Sequence, residues 1–171
     1  MFLNRIKDNF DESARRIVVQ SLVLSIINYC IKIWGITTNQ QLERVQKLEN
    51  FAAKVALGRG KKYDHATPLL MELNWLKIQE KVNLEVCIFT YKICNNLLPD
   101  WLFSFPRVRD GVTRTTRQSD DLFVPRAKTG IGTRAIVVKG PFTWNSLPKV
   151  IKESGSLKSF QSKLKKYFLE K

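Results

Sequence analysis

Ile78, Val82, Val86, Phe89, Ile93 and Leu97 recur at steps of four, four, three, four and four. Only an α-helix gathers residues at such steps onto one face, so the spacing predicts an amphipathic helix over this stretch, ended by Pro99. A helix with one apolar face must bury it against other elements, which directs the chain toward a bundle. With 171 residues the chain is long enough to bury a real core, and about one domain is expected. Cys87 and Cys94 lie on this helix seven positions apart, about 10 Å along the axis, and read as small buried hydrophobes rather than a redox pair. With Cys30 they make three cysteines without a C-x-x-C spacing, and His65 is the single histidine. A disulfide scaffold and a zinc site are therefore not expected, nor any cofactor.

The other segments are read in the same way. From Ser13 to Trp34 there is no Gly or Pro, Ser13 can cap and Gly35 can stop, so one long, nearly buried helix is expected. Its most apolar part, Leu22 to Trp34, is interrupted by Ser25, Asn28 and Lys32 and is shorter than the ~20 residues needed to cross hydrocarbon, so no membrane partner is expected. Leu42, Val45, Leu48, Ala52 and Val55 predict the face of a second helix, starting at Thr37, Thr38 or Asn39 and ending at Gly58. Two heptads are too few for a coiled coil, so this helix is expected to pack within the bundle. Thr67-Pro68 suits an N-cap followed by a first-turn proline, with a short helix to about Leu73. Ser104 to Gly140 has no helical period and is rich in Arg, Thr and Gly. It holds two strand-like pieces, Leu122–Val124 and Ala135–Val138. Pro141 to Pro148 reads as a compact turn that plugs Phe142 and Trp144 into the core. A closing helix follows a Ser156 cap, with Leu157, Phe160, Leu164 and Phe168 inside and Lys158, Lys163, Lys165 and Lys166 in water. The expected fold class is mainly α: a helical bundle over 1–103, then a basic irregular segment with a small β element and a C-terminal helix over 104–171. The second part is expected to pack on the first as one continuous domain.

Charge is spread unevenly along the chain. The net +14 divides into +4 for residues 1–103 and +10 for residues 104–171. A basic face attracts polyanions, because each phosphate neutralised by Lys or Arg releases condensed counterions. Arg107, Arg109, Arg114, Arg117, Arg126, Lys128, Arg134 and Lys139 stand among Thr113, Thr115, Thr116 and Ser119. Guanidinium forks and hydroxyls are the groups that grip phosphate oxygens, so these eight are the candidate nucleic-acid-binding residues. The competing expectation is a solvated loop whose arginines cap helices or pair with Asp110, Asp120 and Asp121. Trp101, Phe103 and Phe123 could stack on unpaired bases, but their apolar neighbours favour burial in the core.

Catalytic patterns are missing. Asp120-Asp121 is a double carboxylate without an apolar strand leading into it, and His65 beside Asp64 has no nucleophile motif to serve. Gly58 and Gly60 lack the strand, third glycine and acidic residue of a dinucleotide site, and no phosphate-binding G-x-x-x-x-G-K-[ST] occurs. No catalytic and no metal-binding residue is expected.

Several phrases follow one another in a recognisable order: Tyr29-Cys30 before Ile33-Trp34-Gly35, Leu42-x-x-Val45-Gln46, Leu73-x-Trp75-Leu76, then Tyr91-Lys92-x-x-x-Asn96-x-Leu98-Pro99. Thr116-Arg117 comes next, then Gly140-Pro141-Phe142-x-Trp144-Asn145-x-Leu147-Pro148 ahead of Ser159-Phe160-x-x-x-Leu164-Lys165. This order resembles the C-terminal region of non-LTR, LINE-type, jockey-like retrotransposon reverse transcriptases, over roughly residues 13 to 169. The Trp-Asn-x-Leu-Pro block is its most specific part. Trp34, Trp75, Trp144, Asn145, Leu147, Pro148 and Phe160 carry the motif. The resemblance implies thumb-like helices and a tail, lying downstream of the polymerase palm, that hold template RNA and primer DNA. The palm with its paired aspartates and the endonuclease are absent from this chain, so the resemblance implies a non-catalytic fragment of an RNA-directed DNA polymerase rather than an enzyme.

The expected function is non-specific RNA or DNA binding through phosphates, with a template–primer hybrid and the parent polymerase core as partners. The alternatives are a protein-interaction module docking on a separate polymerase core, and a truncated relic without function. In the former, exposure of part of Leu22 to Trp34 predicts self-association. Lys7, Asp8, Asp11 and Glu12 break the apolar core that a secretory signal needs, so an intracellular place, cytoplasm and nucleus, is expected.

Overall fold

A computed structural model describes residues 9–59, 65–99 and 121–170. Its described residues are mainly helical, with no strand among them, and the chain divides into two compact units, residues 1–81 and 82–171.

In the first unit the first helix is capped by Asp11, not by Ser13. The Asp11 backbone is extended and its carboxylate accepts from the Ala14 amide at 3.1 Å, capping helix α1, Glu12–Val19. The helix then widens into a π-helical stretch, Gln20–Leu24, and tightens again into α2, Ser25–Asn28. At Cys30 the backbone turns left-handed (φ 50°), which separates α3, Ile31–Trp34, from what precedes it. The Trp34 indole donates to the Tyr29 carbonyl at 2.8 Å across this break. The expected single helix is thus a broken one. Nor is it nearly buried: Val19, Leu24, Ile27 and Ile31 face inward, and a second apolar stripe faces water.

Helix α4, Asn39–Leu57, ends where Gly58 adopts φ 66° and donates to the Val55 carbonyl. The positive φ is what favours glycine there; the Arg15 guanidinium that lies where a Cβ would stand is the end of a flexible side chain that can move aside. The buried face of α4 agrees with the expected one at Leu42, Ala52 and Val55 and departs from it at Leu48. Leu48 is 48% exposed, while Glu49, Ala52, Ala53, Val55 and Ala56 are inside. Alanines allow the close approach of α1, and Val19, Ala52, Val55 and Ala56 form a core flanked by Val23, Phe51, Leu73 and Trp75. The short helix α5, Thr67–Glu72, carries Pro68 in its first turn but is preceded by Ala66, without the expected Thr67 cap. It ends in a left-handed Asn74, with Trp75 N–H reaching the Leu70 carbonyl and Asn74 N–H the Met71 carbonyl.

Helix α6, Ile78–Cys94, gives its first turn to the first unit and the rest to the second. Gln46 of α4 accepts from the Ile78 amide at 2.7 Å, satisfying one of the orphan donors at the start of α6. The Gln46 side-chain amide also donates to Glu49 at 3.2 Å and to Asn50 at 2.9 Å. The fully buried Glu49 carboxylate pairs with Lys81. Burial pushes the Glu49 carboxyl above its ordinary range, with Lys81 opposing. Val82, Val86, Cys87, Ile88, Thr90, Tyr91 and Ile93 of α6 are buried, and burial pushes the Cys87 thiol up to about 12, in keeping with a small hydrophobe. Asn96, left-handed like Asn74, closes α6 as Leu97 N–H bonds to the Lys92 carbonyl.

The second unit continues with α7, Gly130–Arg134; α8, Ile136–Asn145; α9, Lys149–Lys152; and α10, Leu157–Leu169. Two expectations fail here. Ala135–Val138 caps and enters a helix rather than forming a strand: among the described residues there is no strand for its β-branched residues to pair with, and burial of Gly140, Pro141 and Trp144 in α8 overrides their propensity. Leu122–Val124 likewise forms no strand; Leu122 makes an isolated bridge, and its backbone is also held by the Asn145 side chain. Pro141 to Asn145 is helix rather than turn, and it buries Trp144 while leaving Phe142 67% exposed. Helix α10 agrees with its spacing: Ser156 caps it, accepting from the Ser159 amide, and Phe160, Leu164 and Phe168 are buried.

Lys81→Met strands the Glu49 carboxylate without its cation, and is expected to cost about 3–5 kcal/mol at pH 7. The folded chain protonates Glu49 more readily than the unfolded one, so the contribution of this group is full at acid pH and is lost as pH rises through the folded value. The Lys81→Met deficit should therefore shrink on acidification. Urea unfolding at pH 7 and pH 4.5 checks this; equal deficits would contradict it.

Candidate nucleic-acid interface

The second unit is built around three aromatic rings. Tyr91 of α6 stacks on Phe160 of α10 with centroids 4.4 Å apart, and Trp144 of α8 lies 5.8 Å from Phe160 and 6.4 Å from Tyr91. The Tyr91 hydroxyl donates to the Ser154 carbonyl at 2.9 Å, so its polar end is satisfied inside the core. These contacts hold α8 and α10 against the later turns of α6.

Asn145 works differently from its neighbour Trp144. Its side-chain oxygen accepts from the Leu122 amide at 3.0 Å and its nitrogen donates to the Leu122 carbonyl at 2.8 Å. An amide side chain thus stands in for one pair of a β-ladder and clamps the backbone that follows the run of arginines in sequence. Lys152 adds to the clamp, donating to the Asn145 carbonyl at 3.2 Å and pairing with Asp121 at 3.4 Å. The Leu122 side chain is buried. Beside the clamp is a cavity of about 380 Å³ bordered by Asp121, Lys149, Lys152 and Glu153, with Cys94, Leu122 and Trp144. Two ammonium and two carboxylate groups there balance one another, so the cavity does not select anions.

Of the eight candidate residues, Arg107, Arg109, Arg114 and Arg117 lie outside the described residues. So do Asp110, Asp120, Trp101 and Phe103. Arg126 and Lys128 are exposed on the non-helical stretch that leads to Thr129, whose hydroxyl caps α7 through the Gly132 amide at 3.1 Å. Arg134 in α7 and Lys139 in α8 are half-buried. Among the described residues none of these four is in an ion pair. Burial lowers the pKa of Lys139, so its ammonium is held partly out of water, with no ion pair to a carboxylate among the described residues.

The spacing of α10 marked Lys158, Lys163, Lys165 and Lys166 as solvent-facing without giving them a binding role. All four are exposed, and among the described residues only Lys166 meets a carboxylate, Glu170 at 3.8 Å. Over its described residues the second unit holds eleven Lys and Arg against four Asp and Glu. Phe123 is 50% exposed rather than buried, which leaves a ring available next to Arg126. Its spacing gave no signal, since a lone aromatic after Leu122 reads as core. No cluster of three or more metal-ligating side chains occurs among the described residues. No helix there is long and apolar enough to cross a membrane.

The residues that carry the family resemblance are structural. Trp34 closes the break at Cys30, Trp75 packs on the first core, Trp144 and Phe160 make the second, and Leu147 is buried. The Pro148 carbonyl accepts from Ile151 and Lys152 to begin α9. No protein-family model, no curated protein and no solved structure matches the chain.

Asn145→Asp loses the donor to Leu122 and sets a carboxylate against a carbonyl, at an expected cost of about 1–3 kcal/mol. Release of Leu122 should speed tryptic cleavage after Arg126, read by mass spectrometry; an unchanged cleavage rate would contradict the clamp.

Proposed function

We propose that the chain is a non-catalytic nucleic-acid-binding module, related to the C-terminal region of non-LTR retrotransposon reverse transcriptases, that holds RNA or DNA through phosphate contacts without reading bases. The observation that carries this reading is the excess of cations among the described residues of the second unit: exposed Arg126 and Lys128, Arg134 and Lys139 without an ion pair there, and the lysine side of α10. A phosphate beside Lys139 would restore the stabilisation that burial removes from its ammonium. The ordered phrases around Trp144-Asn145 and Phe160 support the family part of the reading, and with it a template–primer hybrid as ligand, the parent polymerase core as partner, and work in the cytoplasm and nucleus. A protein-interaction module is the second reading, favoured by the apolar stripe that the first unit leaves in water.

Binding of a labelled RNA–DNA hybrid and of single-stranded RNA should weaken steeply between about 50 and 300 mM salt. Replacing Arg126, Lys128 and Arg134 by Gln should flatten the salt dependence by about one unit of slope per lost phosphate contact, while Lys at the two arginine positions should keep it. Equal slopes for all variants would overturn the reading.

A further inference from the structure

Ile17, Leu22, Ile26, Tyr29 and Ile33 are each between 56% and 76% exposed. Their steps are five, four, three and four, and the five-residue step crosses the π-helical stretch Gln20–Leu24. A wider turn needs more residues to come round to the same side, so this step keeps Ile17 and Leu22 on the exposed face. The buried stripe makes the same adjustment from Val19 to Leu24. The π turn therefore preserves two apolar faces: one against the first core, the other facing water.

From 17 to 31 the chain carries no charged residue, although 26% of its residues are charged overall. A helix face that water alone covers has no reason to exclude Lys and Glu. An interfacial membrane helix carries Lys and Arg along its polar side, and here that side offers Gln20, Ser21 and Asn28. Between residues 17 and 31 a nucleic acid or an acidic protein finds no cation either. The surface that suits it is neutral and apolar, and on a chain of net +14 the same stripe of a second copy is such a surface. Area agrees. Five side chains at on the order of 100 Å² apiece offer about 500 Å² per copy, and two copies face to face bury about 1,000 Å², the lower bound for a biological interface and the size of a weak, reversible one.

We infer that this stripe is the contact between two copies of the chain, in a closed two-fold pair. The pairing is independent of the nucleic-acid reading and opposes it in one respect. Two bodies of +14 repel, and salt screens that repulsion while leaving apolar contact intact, so the pair should tighten as salt rises over the range in which phosphate binding weakens.

Sedimentation equilibrium of the nuclease-treated full chain at 50 and 300 mM salt tests this. The expected result is a monomer–dimer equilibrium that shifts toward dimer at the higher salt. Ile26→Glu should shift it at least tenfold toward monomer with an unchanged circular dichroism spectrum, since Ile26 touches little in its own chain. Leu48→Glu, a half-exposed control outside the stripe, should leave it unmoved. A wild-type chain that stays monomeric at 100 μM, as it would if the stripe serves a different protein or a lipid surface, would overturn the inference. So would open-ended association, or an Ile26→Glu chain that dimerises as well as wild type.

Discussion

Stacking of Tyr91 on Phe160 is the contact on which the second unit depends. It joins α6 to a helix almost seventy residues later in the sequence, and Trp144 completes the cluster from a third element. With these rings in place the neighbouring residues have fixed tasks. Tyr91 satisfies the Ser154 carbonyl, and Asn145, next to Trp144, is aimed at the Leu122 backbone. The basic stretch that begins at Leu122 is thereby tied to a rigid core at one end while Arg126 and Lys128 stay in water. Such an arrangement suits a polyanion whose phosphates need cations at reach but no single fixed base contact.

The first unit solves a different problem, that of a carboxylate with no water. Glu49 is tolerated because Gln46 and Lys81 meet it and because the same Gln46 receives the first amide of α6. Removing any one of the three leaves a polar group buried without a partner, which is costlier than never having buried it. The network therefore ties α4 to the start of α6 more specifically than apolar packing alone would.

Much of the helical frame was legible in the sequence because its signals are local. The stripe and Ser156 cap of α10, the Gly58 stop, and the apolar steps of α6 as far as Ile93 need only neighbours within two turns; the last step fails, since Leu97 follows the left-handed Asn96 and is exposed. Glu49 was not legible, since its partner Lys81 is 32 positions away and nothing local distinguishes a carboxylate that will be buried from one in water. The π-helical stretch escaped for a related reason: a single five-residue step looks like noise until both stripes are seen to make it. Ile136–Val138 misled through propensity, because β-branched residues favour strands only where another strand can pair with them. In the candidate interface the arginines and lysines were visible as charge, but the Asn145 clamp, the exposed Phe123 and the partly dehydrated Lys139 depend on tertiary burial.

Hydrogen exchange of the full chain with and without a saturating RNA–DNA hybrid addresses the central claim most directly, that the basic side of the second unit is where a polyanion sits. Slower exchange of amides between residues 122 and 139, with residues 39–57 of α4 unaffected, is the predicted result. Unchanged exchange over 122–139 at saturation, or protection falling on α4 instead, would contradict it.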